Sequence, residues 1–274
     1  MSTTFQYPYN PITWVGSPRD LTGDYNKGRF TTETTQRFIF GTRHILWDGR
    51  VFKYGHATAE CQSGYGAANY ALCNISAALP IAASEGDKSV TVTVTSGGYA
   101  ASGVIAKDSL AGGYLILNNG VEDPQMFGIV GNDADVAATT CRLDLDGALW
   151  QSVTTSAWAE VLDNPYAHLY GGITIGANGF LSFMGIPCRN LVATYNGWIQ
   201  TWGPCWVTPN STTTQNPGYS AGDRECYFLF QGNGSIISGT GATIETGNQH
   251  CGFVMNRSET TAGGPPLVML QISI

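Results

Sequence analysis

Hydrophobic and polar positions alternate with a period of two over much of the chain. Ser89–Thr95 reads Ser-Val-Thr-Val-Thr-Val-Thr, which predicts a strand with Val90, Val92 and Val94 facing a core and the threonines facing out. Gly112–Asn118 predicts a second strand, closed by an Asn-Asn-Gly turn, and Met126–Val130 and Cys141–Leu145 predict two more. Earlier, Gly41–Tyr54 reads as a hairpin with Asp48-Gly49 as a two-residue turn, entered from Phe38-Ile39-Phe40. Later, Leu191–Trp202 reads as a strand, a turn at Asn196-Gly197 and a second strand. Cys205–Val207, Cys226–Phe230, Cys251–Met255 and Leu267–Ile274 complete the set. Residues 55–80, rich in Gly and Ala, are expected to form loop and short irregular elements, 153–162 a short helix, and 208–224 a long polar loop. Short strands separated by Gly, Asn and Asp turns indicate an all-β fold, a small β-barrel or β-sandwich body.

The first 36 residues break this pattern. Phe5, Tyr7, Tyr9, Ile12, Trp14 and Val15 alternate with Pro8, Pro11 and Pro18. Proline denies a sheet its donor, so the segment is expected to be an extended N-terminal arm whose aromatic side chains cover another surface. The expected organisation is an arm at 1–36, a β-rich domain at 37–170, and at 171–274 a C-terminal β domain or the second half of the same body.

Composition strengthens the β reading. Gly supplies 35 of 274 residues, about twice its usual share of ~7%. Charged residues are only 12%, about half the usual ~25%, whereas exposed helices normally carry many Glu and Lys. The net charge of −7 and the lack of any Lys/Arg run make nucleic acid an unexpected direct partner. No apolar stretch approaches the length of a membrane span. Met1–Gln6 lacks a basic then apolar leader, so no secretory signal is expected. With seven scattered cysteines, an odd number and no C-x-x-C pair, free thiols of a reducing compartment are expected.

Candidate chemistry is sparse. Gly218-Tyr-Ser220-Ala-Gly222 matches G-x-S-x-G, but a polar loop precedes it and a strand follows. A nucleophile elbow needs a strand before the serine and a helix after it. Asp133, Asp135, Asp144 and Asp146 lack the spacing of a calcium loop. His44, His56, His168 and His250 are too far apart in sequence to form a local ligand pair, and His44 with Asp48 reads as a turn feature. Four N-x-[ST] sites, beginning with Asn74-Ile-Ser76, carry no weight without a secretory signal. No catalytic residue, metal ligand or cofactor is therefore assigned, and an enzyme is not expected.

Several blocks carry a resemblance. Gly41-Thr-Arg, followed by Asp48-Gly-Arg-Val-Phe-Lys-Tyr54-Gly-His-Ala, resembles a segment of tailed-phage virion proteins encoded beside the major capsid protein. Glu85-Gly-Asp-Lys-Ser-Val-Thr-Val-Thr, Ala111-Gly-Gly-Tyr-Leu, Asp163-Asn-Pro-Tyr166 and Tyr195–Pro204 are similar to later blocks, in the same order. The family is that of capsid decoration, or cement, proteins. The resemblance implies a structural protein on the outside of an icosahedral head, made in the bacterial host cytoplasm. The implied partner is the major capsid protein and the implied assembly a homotrimer, with no nucleic acid, membrane or cofactor. The arm residues Phe5, Tyr7, Tyr9, Ile12, Trp14 and Val15 are the expected capsid- or subunit-binding contacts. The competing expectation is a tail or fibre component that binds host-surface glycans, suggested by the aromatic content and the 208–224 loop. Fibres normally trimerise through repeats or heptads, and the sequence has neither.

Overall fold

The structure is a computed structural model of the chain. It describes residues 14–15, 28–46, 48–69, 73–94, 105–119, 124–134, 140–171, 182–210, 225–228, 234–238, 249–256 and 266–273. Among these the regular elements are strands, apart from a 3-10 turn at Gly28–Phe30. The chain is all-β, as its alternation predicts.

Two compact units are formed, and their boundary is not the one expected at 170. One unit takes Ala71–Pro165, and the other takes Asn10–Tyr70 together with Tyr166–Ile274. The reason is strand pairing. The 51–56 strand of the expected first domain hydrogen-bonds to the 196–206 strand of the expected second, so residues 37–70 belong with the C-terminal part.

The larger unit begins with β1 (Trp14–Val15), β2 (Arg43–Ile45), β3 (Val51–His56) and β4 (Ala67–Asn69). The 71–165 unit holds β5 (Cys73–Ala78), β6 (Ser89–Thr93), β7 (Tyr114–Asn118), β8 (Gln125–Asn132), β9 (Thr140–Leu145) and β10 (Trp158–Leu162). The chain then returns to the larger unit as β11 (Leu169–Tyr170), β12 (Phe183–Pro187), β13 (Asn196–Trp206) and β14 (Glu225–Phe228). It ends with β15 (Ile236–Ser238), β16 (Gln249–Asn256) and β17 (Leu267–Gln271).

The 71–165 unit is a curled six-stranded antiparallel sheet, ordered β5-β10-β7-β8-β9-β6. Its end strands approach each other, and the Thr93 hydroxyl donates to the Ala78 carbonyl at 3.2 Å. The valines predicted to face inward do so: Val90, Val92 and Val94 are buried with Leu115, Leu117 and Leu143 in one core. Each such side chain contributes about 1.5–3 kcal/mol of burial.

Two expectations fail in this unit. Trp158–Leu162 lies within the expected helix but is the strand β10, between β5 and β7. Its Ala, Glu and Leu favour a helix, but Ala159 and Val161 are buried while Trp158 and Glu160 are exposed. That is a strand's period, and sheet neighbours on both sides satisfy its backbone. Its partner β5 lies in the expected 55–80 loop, because Ala, Asn and Ser signal strand weakly.

In the larger unit the main path runs β1-β2-β3-β13-β17-β16-β14-β15, with β12, β4 and β11 pairing beside it. The hairpin turn is one residue longer than expected. Leu46 N–H donates to Arg50 O and Gly49 N–H to Leu46 O, and Gly49 takes φ +84°, as in three-residue hairpin loops. The expected turn at Asn196-Gly197 is instead the start of the eleven-residue strand β13. The chain turns earlier, where Tyr195 N–H donates to Val192 O and Thr194 adopts φ 72°.

Asn196 is buried because its amide is a clamp. Its Nδ2 donates to the carbonyls of Glu33 and Thr34 at 3.1 and 3.2 Å, and its Oδ1 accepts from His56 Nδ1 at 2.9 Å. Backbone bonds between Glu33 and Asn196 add to the clamp. The last part of the expected arm is therefore held on the body. The backbone of Trp14–Val15 also runs parallel to His44–Ile45. Phe5, Tyr7, Tyr9 and Ile12, with the side chains of Trp14 and Val15, lie outside the described residues.

Candidate functional site: a cationic apolar pocket

β3 and β13 lie side by side, and their aromatic residues pack together. Tyr54 and Trp198 are cross-strand partners with ring centroids 5.3 Å apart. Phe38 lies 5.2 Å from Tyr54 and 5.3 Å from Trp198. The fully buried His44 stands 5.6 Å from Trp198 and 6.1 Å from Phe52. This cluster anchors the strand ends from which the neighbouring pocket is built.

The pocket has a volume of about 310 Å3. Its floor is Ile186, Pro187 and Cys188 at the end of β12, with Cys205 of β13. Gln200 is fixed there because its Nε2 donates to the carbonyls of Trp202, Gly203 and Pro204 at 3.1, 3.2 and 2.8 Å. The rim is apolar and exposed: Phe30 from the 3-10 turn, Trp206, and its cross-strand partner Leu267. The edge of the Trp206 indole lies against Gly64, where a Cβ would run into its ring atoms. Gly64 also has φ +83°, a conformation that side-chain-bearing residues rarely adopt.

Two guanidinium groups border the same space, Arg29 and Arg50. Arg50 Nε donates to Asp48 Oδ2 at 2.7 Å, and Arg50 N–H donates to Asp48 Oδ1 at 3.1 Å. Arg29 stacks on Phe30, 5.0 Å from the ring centroid, and makes no ion pair among the described residues. Partial burial works against the charge of Asp48, but the Arg50 backbone and guanidinium, with Arg29, hold its carboxyl below the ordinary value. Among the described residues one carboxylate thus faces two cations. Burial pushes the Cys188 thiol well up and the Cys205 thiol up to about 12, although Arg50 pulls both, and Arg29 pulls Cys188, the other way. Both thiols stay protonated at neutral pH, so the pocket offers fixed positive charge and apolar surface, not a thiolate nucleophile.

The other candidates are dispersed. Ser220 and Asp135 lie outside the described residues. Asp144 forms an exposed pair with Arg142, Asp146 accepts from Gly128 N–H at 2.9 Å, and Asp133 N–H donates to Arg142 O. His250 packs edge-on against Tyr227. The fold does bring two histidines together: burial, then the charge of His56, lowers His168 to about 4. Cys61, Cys141, Cys188, Cys205, Cys226 and Cys251 are free thiols. No group of three or more His, Cys, Asp or Glu suited to hold a metal occurs among the described residues. No helix among them is long and apolar enough to cross a membrane.

The pocket was not legible in the sequence because separate segments line it: Arg50 and Phe52 lie in one stretch, Gln200 and Pro204 in another, and Arg29 in neither. The usable signal was an isolated Arg beside an aromatic at Arg29-Phe30. Comparison with protein families, curated proteins and solved structures finds no match to the chain.

Proposed function

We propose that this chain is a structural virion protein that binds the outer surface of a tailed-phage head and cements neighbouring capsomers. The observation that carries the reading is uncovered apolar surface on the sheet of each unit. In the 71–165 unit, Tyr114, Met126 and Trp158 occupy one outward face of adjoining strands and are exposed. In the other unit, Trp206, Leu267 and Phe253 share a face and are exposed. Large side chains left uncovered in this way mark interaction surfaces. The 12% charge content suits broad, lightly charged interfaces that salt weakens little. Phe52 and Tyr54 of the first resembling block and Trp198 of the last share one core cluster, which gives both blocks a packing role.

In this reading Phe5, Tyr7, Tyr9, Ile12, Trp14 and Val15 lash the protein to the capsid or to a neighbouring subunit of a trimer. The deletion that tests the lash is 1–12, which removes Phe5, Tyr7, Tyr9 and Ile12 but keeps Trp14–Val15 paired with His44–Ile45 and Glu33 and Thr34 held by Asn196. The deciding experiment assembles heads with and without the protein and heats both while genome release is followed. Bare heads should open at a lower temperature, and re-added protein should restore the difference. An unchanged opening temperature, with the protein present only at the tail in a few copies, would reject the cement reading in favour of a glycan-binding tail component.

A further inference from the structure

We infer that the pocket between Arg29 and Trp206 binds a carboxylate carried next to an apolar side chain, as on an acidic-apolar segment of a partner protein. This inference does not depend on the cement reading; it rests on the composition of the pocket. Among the described residues its two guanidiniums face one carboxylate, Asp48, which leaves one positive charge in excess there, in a chain whose net charge is −7. Arg50 is oriented through its Nε by Asp48, and its guanidinium lies over the Phe52 ring, 6.0 Å from the centroid. Arg29 is held by stacking on Phe30 with no ion pair among the described residues. Arginine in this setting favours a planar, two-oxygen anion, which a carboxylate supplies.

The excess charge of one argues for a monoanion. The remainder of the site argues for what the anion is attached to. The floor of Ile186, Pro187 and Cys205 and the rim of Phe30, Trp206 and Leu267 are apolar. At about 310 Å3 the cavity stands at the small end of ligand pockets, which run about 300–1,000 Å3. It has room for a side chain or two. The exposed apolar face continues from Trp206 and Leu267 to Phe253 along adjoining strands, which gives flanking residues of a peptide a surface to lie on. A polyphosphate or a nucleic-acid strand would find neither the charge nor the length.

The test uses the full chain and calorimetry with four probes. These are the peptide acetyl-Gly-Phe-Glu-Leu-Gly-amide, the same peptide with Gln for Glu, phenylpropionate, and inorganic phosphate. A charge-assisted contact predicts that the Glu peptide binds about tenfold more tightly than the Gln peptide. Phenylpropionate should compete with it weakly, and phosphate should not compete. Arg29→Gln should abolish the preference for Glu with no change in melting temperature, and Arg29→Lys should restore part of it. Trp206→Ala should weaken both peptides alike. Equal binding of the two peptides, or a Glu preference that survives Arg29→Gln, would overturn the inference. So would no binding by either peptide, phenylpropionate binding more tightly than the Glu peptide, or phosphate displacing that peptide.

Discussion

Replacing Trp198 with Leu tests whether the aromatic cluster holds β3 and β13 together. Trp198 is only 3% exposed, and its ring touches those of Phe38 and Tyr54 at 5.3 Å each. Aromatic pairs of this kind contribute about 0.5–1.5 kcal/mol each beyond burial, so the two are worth roughly 1–3 kcal/mol. Leucine keeps part of the buried area, and the uncovered remainder adds about 1 kcal/mol. The expected loss is roughly 2–4 kcal/mol, which for a unit of this size lowers Tm by about 4–16 °C. The assay is thermal unfolding followed by near-ultraviolet circular dichroism and calorimetry. Trp158→Leu is the control: that ring is exposed and donates to the Ser76 hydroxyl at 2.8 Å, so its loss should cost less than about 1 kcal/mol. A Trp198→Leu shift below about 2 °C, or one equal to the control's, would refute the assignment of the cluster as the joint between these strands.

Other outcomes follow from single features. Gly64→Ala should lower stability by more than Gly86→Ala. Both glycines have positive φ, but only at Gly64 does a Cβ meet a ring, that of Trp206, while nothing lies near Gly86; equal melting temperatures would refute the contact. His168 is lowered to about 4 from the ordinary 6.5 by burial and by the charge of His56. Because the unfolded chain takes up its proton near 6.5 and the folded chain only near 4, stability is full above 6.5 and is lost as pH falls toward 4. The loss is about 2 kcal/mol after allowance for solvent screening, and His168→Gln should flatten that part of the pH–Tm curve. Finally, the buried thiols should react slowly with a thiol reagent in the native protein, because burial raises Cys61 and Cys205 to about 12. All seven should be alkylated after denaturation without reductant, and fewer would reveal a disulfide.

The sequence alone determined the elements whose cause is local. The alternation through Val90, Val92 and Val94 specified both a strand and its buried face, because a one-residue slip would turn every valine to solvent. Asp48-Gly49 marked the hairpin because a positive φ favours glycine, and the C-terminal Leu267–Gln271 strand was visible from its apolar run. Tertiary structure decided the rest. Trp158–Leu162 is a strand because β5 and β7 pair with it on both sides, against the helix preference of its residues. Asn196-Gly197 opens a strand because the amide of Asn196 finds partners at Glu33 and Thr34, more than 160 residues earlier. The boundary near 170 failed because β3 and β13 pair across the intervening unit in sequence. The pocket was equally hidden: Arg29-Phe30, Arg50, Ile186–Cys188 and Pro204–Trp206 come from distant parts of the chain and meet only when strands pair. Periodicity records which way a side chain faces, whereas the partner it meets depends on pairing between segments that carry no local sign of one another.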